Sequence, residues 1–199
     1  MTQVTRQIYI EDLAKLQHSV VAMGEAATLA VKKSMEALLT GNNQLAEEVM
    51  QGDDLIDDMM VDIEDRGMLL IAKQQPIAHD LRIIATSFKL STDLERIGDH
   101  AFDIAKIVRD LSGEFAIDVY DTPRLGSCAV RMIEMAIEAY RTADIKLAEQ
   151  VCRADDEMDE LFARTFQQLS ASMGAEPRLT KQTTQLIFVA RFLERVGDH

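Results

Sequence analysis

Eight acidic residues of this chain fall into four pairs spaced by four: Asp53/Asp57, Glu95/Asp99, Asp155/Asp159 and Glu194/Asp198. Residues four apart share a helix face, so two carboxylates placed this way repel by ~0.2–0.5 kcal/mol. A bound cation reverses that sign. The chain has 34 acidic against 21 basic residues and a formal charge of −13, so any single pair reads more simply as a solvated face. Repetition raises the signal. LERIGDH at 94–100 returns as LERVGDH at 193–199, and each copy follows an Asp-x-x-x-Asp earlier in its half.

The elements that must carry these acids are helices. Pro and Gly are scarce (3 and 9), Trp is absent, and Ala, Leu, Met, Glu, Lys and Gln dominate, which favours long helices over sheet. Apolar residues recur at helical spacing over about 7–40, until GNN at 41–43, and again over 44–73, until Gln75-Pro76. A third helix follows to about 111. Pro76 is expected in its first turn, where the missing N–H costs nothing. Residues 112–122, SGEFAIDVYDT, lose the period and read as a linker. Three more helices are expected over 123–142, 144–173 and 178–199. Short connections imply antiparallel neighbours. The expected fold is all-α: an up-down-up three-helix bundle over 1–111, the linker 112–122, and a second bundle over 123–199. The last helix is expected to continue past His199, as its counterpart runs on from His100 through AFDIAKIV.

The halves read as an internal duplication. Leu45-Ala46-Glu47 matches Leu147-Ala148-Glu149 at an offset of 102, as Asp53-Asp54 matches Asp155-Asp156. The offset is 101 at Pro76 and Pro177 and 99 at Glu95 and Glu194, which places deletions in or near the second hairpin.

Angle and level both bring the acid pairs together. The apolar stripe of the second helix passes through Leu45, Val49, Ile56, Met59, Ile63 and Leu70. Asp53, Asp57 and Glu64 then fall on one flank. The stripe of the third runs through Leu90, Leu94, Gly98, Ala101 and Ala105, with Glu95 roughly 100° to one side. With the first turn near 75, Asp57 and Asp53 lie level with residues 93 and 97, which bracket Glu95 and Asp99. With the second turn near 176, Asp159 and Asp155 lie level with 193 and 197, beside Glu194 and Asp198. One four-carboxylate cluster per bundle is expected.

All-oxygen ligation suits hard cations such as Mg²⁺, Mn²⁺ or Ca²⁺, or iron in a carboxylate-bridged cluster. No E-x-x-H occurs, so the ferritin-like di-iron pattern is absent. His100 and His199 follow Asp99 and Asp198 and are expected mainly as surface residues; His18 and His79 have no supporting pattern. Gly98 and Gly197 sit mid-helix at ~1 kcal/mol each relative to Ala, which predicts close approach of a neighbouring helix backbone. Cys128 reads as a buried small hydrophobe and the eleven Met as helix core.

Composition narrows the function. Net negative charge argues against nucleic acid. The two cysteines form no disulfide framework, and the N-terminus lacks the apolar core of a signal peptide. No apolar run is long enough to span a bilayer. No nucleophile–base pairing, phosphate-cradling glycine loop or zinc spacing is present. The expectation is a soluble cytoplasmic protein that is not an enzyme.

The run QPIAHDLRIIATSFKLSTDLERIGDHAFDIAKIV at 75–108 closely resembles the signature of the PhoU family, phosphate-signalling accessory proteins of bacteria. The D-x-x-I-D at 53–57 and the duplicated layout agree, and the resemblance covers essentially the whole chain. It implies two three-helix bundles in a cytoplasmic, often oligomeric protein, here a homodimer. The implied role is regulation of phosphate uptake and repression of the phosphate regulon, with the phosphate ABC transporter's ATPase subunit and the phosphate-responsive sensor histidine kinase as partners. It also implies iron or zinc on the acidic motifs, beside the magnesium or manganese that the donor set suits, here on Asp53, Asp57, Glu95, Asp99, Asp155, Asp159, Glu194 and Asp198. The second half departs from the first, with EPRLTKQ at 176–182 where the first has QPIAHDL, so the two halves need not serve equal roles. The alternative reading is a carboxylate-bundle protein of metal storage or redox chemistry.

Overall fold

Two matching polar turns organise the helices. At the first, Gly41 takes a left-handed φ of 64°, the Asn42 amide donates to Ala37 O (3.0 Å), and the Asn42 side chain accepts from the Leu45 amide (3.1 Å). One helix is thereby closed and the next capped. At the second, Ala143 takes φ 53°, the Asp144 amide donates to Ala139 O (3.0 Å), and Asp144 Oδ1 accepts from the amides of Lys146 (2.9 Å) and Leu147 (3.2 Å).

The computed structural model describes residues 3–74, 76, 78–111, 119–175 and 177–199. Its helices are α1 (Gln3–Thr40), α2 (Asn43–Gln51), α3 (Asp53–Gln74), α4 (Ala78–Asp110), α5 (Thr122–Thr142), α6 (Ile145–Ala175) and α7 (Thr180–Asp198). No strand occurs among the described residues. α1 packs on α2, α3 and α4, and α5 packs on α6 and α7, forming two three-helix bundles. Leu16, Val20, Met23, Ala27, Val31 and Leu38 mark the buried stripe of α1. Leu125, Met132, Met158, Leu161, Leu169, Leu186 and Leu193 fill the second bundle, each large side chain contributing ~1.5–3 kcal/mol by burial.

Four expectations change in detail. The second helix divides at Gly52, whose amide donates to both Glu48 O and Val49 O (3.1 Å each). Val49 and Ile56 on either side are both buried, so the apolar period passes through the break and does not reveal it. Pro76 precedes α4 by two residues rather than lying in its first turn. A short 3₁₀ turn, Pro177–Leu179, leads into α7. Of the expected linker, residues 112–118 lie outside the described residues, and Thr122 already begins α5.

The bundles meet along α1/α5 and α4/α7. Ile137 of α5 covers Gly24 of α1, and Met35 of α1 covers Gly126 of α5. Gly24 and Gly126 are equivalent in the repeat, as are Met35 and Ile137, both at the offset of 102. The same reciprocity holds across α4/α7. The His100 ring stacks on Phe192 (5.6 Å between centroids) and on His199 (5.9 Å), and His199 Nδ1 lies 3.5 Å from Asp93 Oδ1. Both helix pairs therefore run antiparallel about an approximate two-fold axis.

Candidate acidic sites

In the first bundle, α3 supplies Asp53 and Asp57 and α4 supplies Glu95 and Asp99. Asp53 and Glu95 are half-buried, and Asp57 and Asp99 are exposed. Burial, then the charges of Asp99, Asp57, Asp54 and Glu95, push the Asp53 carboxyl up to about 6. Glu95 is raised by burial, then by Asp99 and Asp57, against an opposing pull from Arg96. Asp99 is raised by burial, then by Asp57 and Asp103. All four side chains thus act on one another across the α3/α4 groove. Gly98 lies between them: a Cβ there would stand 3.1 Å from Ile56 Cδ1 and 3.5 Å from Asp53 Oδ1. Asp103 also belongs here. It is half-buried, and burial raises its carboxyl against Lys106. Its signal in the sequence is one more step of four from Asp99.

The second bundle repeats the burial pattern on α6 and α7. Asp155 is half-buried, Glu194 buried, and Asp159 and Asp198 exposed. Asp155 is raised by burial, then by Asp159, Asp198 and Asp156. Glu194 is raised by burial and Asp198, with Arg191 pulling the other way. Here the halves differ. Arg191 donates to Glu194 Oε1 and lies over the Phe162 ring, 5.8 Å from its centroid, whereas Thr92 holds the equivalent place in the first bundle. Glu194 Oε2 is buried without a hydrogen bond. The Arg191–Glu194 spacing of three is visible in the sequence, but its weight is not until the burial of Glu194 is known.

The donor set of the first bundle fits a hard cation: carboxylates only, half-buried, and destabilised by their own repulsion. The second fits less well, because an arginine of the chain already occupies one carboxylate. Among the described residues, no three of the acids converge on one point as ligands to a single ion, a spread that mutual repulsion favours.

Other expectations change or gain detail. Gly98 and Gly197 are packing positions, but side chains cover them rather than backbone: Ile56 over Gly98, Met158 (3.1 Å) and Met132 (3.5 Å) over Gly197. His100 and His199 are not surface residues but half-buried in the α4/α7 seam. Both ring nitrogens of His100 lack hydrogen bonds, and burial, then Arg195 and His199, push it down to about 4. His18 and His79 are exposed. Cys128 is buried and accepts from Arg131 Nη2 (3.4 Å).

Comparison with known proteins accounts for the duplication. The sequence profile described as the PhoU domain matches twice, at residues 20–108 and 122–199. A phosphate-specific transport system accessory protein PhoU homolog of Clostridium acetobutylicum is 41% identical over 197 residues, covering 98% of this chain and 90% of that protein. A relative of the same description from Aquifex aeolicus is 37% identical over 186 residues, covering 93% and 84%. The crystal structure of PhoU from Pseudomonas aeruginosa superposes with a TM-score of 0.92 at 30% identity, over 96% of this chain and 92% of that one. The phosphate transport system regulatory protein PhoU from Streptococcus pneumoniae, 23% identical, shares the fold with a TM-score of 0.83. On the profile match and the full-length identities together, this chain belongs to the PhoU family.

Proposed function

We propose that this protein is a non-enzymatic, cytoplasmic regulator of phosphate uptake. In this reading it binds the ATPase subunit of a phosphate ABC transporter and the cytoplasmic part of a sensor histidine kinase, and so represses the phosphate regulon. The observation that carries the reading is similarity along 98% of the chain to an accessory protein of phosphate-specific transport. It is supported by the absence, among the described residues, of any helix long and apolar enough to cross a membrane. A homodimer is the proposed assembly.

Within that reading, Asp53, Asp57, Glu95 and Asp99 would hold a divalent or iron cation in the first bundle, and Asp155, Asp159, Glu194 and Asp198 in the second. The cation would neutralise repelling carboxylates. The residues themselves supply the rest: half-buried Asp53 and Asp155 anchor each set on the second helical layer, and Glu95 and Glu194 anchor it on the third. The test is binding of the purified ATPase subunit and of the kinase's cytoplasmic domain to the full chain, before and after chelation. A phosphate-regulon reporter in a deletion strain complements it. The expected result is micromolar or tighter binding and loss of repression on deletion. No binding to either protein, with normal repression in the deletion strain, would overturn the reading.

A further inference from the structure

The two bundles differ sharply on one equivalent face. The chain has seven Phe and no Trp, and four of those Phe lie on α6 and α7. Phe162 and Phe166 pack along α6 with centroids 6.2 Å apart, and Phe188 and Phe192 along α7 at 6.4 Å. Arg191 over Phe162 ties the two helices together, which puts Phe166, one turn nearer the hairpin, level with Phe188. Phe166 and Phe188 remain 45% and 49% exposed, and side by side they make joined apolar surface rather than single scattered residues.

The repeat gives an internal control. At the same offsets, Phe162, Phe166, Phe188 and Phe192 replace Met60, Glu64, Lys89 and Asp93 of the first bundle. The register is sound, because Ile63 and its counterpart Thr165 are both fully buried. The same helix pair, in the same fold and the same chain, therefore presents charge in one copy and aromatic rings in the other. Phe162 and Phe192 pack against the core, but Phe166 and Phe188 are exposed where the first bundle carries Glu64 and Lys89, so packing within the bundle does not require those two rings. The surrounding cations are largely common to both copies, Lys181 and Arg195 standing where the first bundle has Arg82 and Arg96, so it is the rings that differ. In a chain of net −13, α7 from Thr180 to Val196 carries Lys181, Arg191 and Arg195 against a single acid, Glu194, and that acid is buried on Arg191. All three cations are exposed; Arg191 lies over the Phe162 ring, and Lys181 and Arg195, seven residues either side of Phe188, share its side of α7.

We infer that the α6/α7 face is a docking surface for an acidic amphipathic helix of a protein partner. The partner would lay apolar side chains on Phe166 and Phe188, with its carboxylates toward Lys181 and Arg195. Exposed aromatics with arginine are the side chains that dominate protein interfaces, and a helix laid on two antiparallel helices is a known recognition mode. An anionic membrane also attracts rings and cations, but so broad a surface would meet the exposed acids Asp156, Glu157 and Glu160 of α6 as well, whereas a single helix need touch only the strip of rings and cations. The inference rests on the adaptor reading only for the existence of a natural partner, and it is independent of the acidic sites.

The test uses the full chain and a labelled helical peptide with leucines along one face, bordered by glutamates. The paired Phe166→Ser/Phe188→Ser variant is expected to weaken peptide binding by about tenfold or more. Lys181→Glu, which leaves the rings in place, is expected to weaken it severalfold. The same peptide with lysines for glutamates is expected to bind at least tenfold more weakly, and Glu64→Ala/Lys89→Ala in the first bundle to change nothing. Circular dichroism checks that each variant is folded. Equal binding of the peptide to wild type and the Phe variant would overturn the inference. So would binding to phosphatidylglycerol vesicles in place of the peptide, or self-association that the Phe variant abolishes. The transporter ATPase subunit and the kinase domain are run alongside. If they bind both forms alike, the docking face is wrong and the adaptor reading stands. If neither binds wild type but the peptide does, the adaptor reading falls and the face stands.

Discussion

Gly24 of α1 lies directly under Ile137 of α5, so close that a Cβ on Gly24 would overlap the Ile137 Cδ1 and Cγ1 atoms. Its counterpart Gly126 lies under Met35, whose Cε would stand 2.9 Å from an added Cβ. Gly24→Ala is therefore expected to destabilise by ~1–3 kcal/mol, the cost of overpacking a close contact. Gly126→Ala is expected to cost less, because the thioether of Met35 bends where the branched Ile137 cannot. Urea unfolding of both variants tests the order. Gly24→Ala with Ile137→Val should recover part of the loss, and an unchanged midpoint for Gly24→Ala would refute the contact.

At the matching turns, Gly41 and Ala143 share the left-handed region at φ 64° and 53°. A side chain there costs about 1–2 kcal/mol relative to Gly, partly offset because Gly loses more chain entropy on folding. Ala143→Gly is expected to stabilise the second bundle by ~0.5–1 kcal/mol, and Gly41→Ala to destabilise the first by a similar amount. Thermal unfolding reads both signs. A destabilised Ala143→Gly would mean the turn does not hold that conformation.

Two half-buried groups give opposing pH dependences over nearly the same window. Asp53 titrates near 6 instead of 3.8, so between those values the folded state holds a proton that the unfolded chain has released. Its contribution is favourable at low pH and is lost as pH rises toward 6. Glu95, Asp99, Asp155 and Glu194 shift in the same direction. His100, at about 4 instead of 6.5, resists protonation in the fold, so its contribution is lost as pH falls from 6.5 to 4. Wild-type unfolding mixes the two effects; variants separate them. In metal-free protein, the stability of Asp53→Asn minus that of wild type is expected to increase from pH 4 to 6 and then level off. For His100→Asn the same difference is expected to increase as pH falls from 6.5 to 4. A flat difference curve for either variant would refute the burial of that group.

The unequal acidic sites predict unequal metal binding. After chelation and reloading with Mn²⁺, Asp53→Asn/Glu95→Gln is expected to remove more bound metal than Asp155→Asn/Glu194→Gln. Arg191→Thr, which places the first bundle's residue in the second, is expected to raise occupancy of the second site. Elemental analysis at defined protein concentration measures all three. Equal losses from the two double variants, with no effect of Arg191→Thr, would remove the arginine from the argument.

Much of this molecule is legible in its sequence, and the reason is geometric. Helical period and equal distance from a hairpin turn are properties of the chain itself, so the juxtaposition of Asp53 with Asp99, and of Asp155 with Asp198, follows from counting. What resists reading is set by contacts between elements far apart in the chain. Gly52 divides a helix without disturbing its stripe. His100 reads as exposed on its own helix and is covered only because α7 crosses it. Arg191 and Phe162 acquire meaning once α6 and α7 are side by side, and a search for what the halves share passes over the rings on which they differ.

The reciprocal pairing of Gly24 with Ile137 and of Gly126 with Met35 has an evolutionary consequence. In a dimer of identical subunits every substitution appears twice, once on each side of the axis, so neither side can change alone. Joining the two halves in a single gene lifts that constraint while the contact between them keeps its near-symmetric form. One copy is then free to diversify outward while the other retains its original character, and Asp93 and Phe192 can occupy equivalent places on the two sides of the axis without matching.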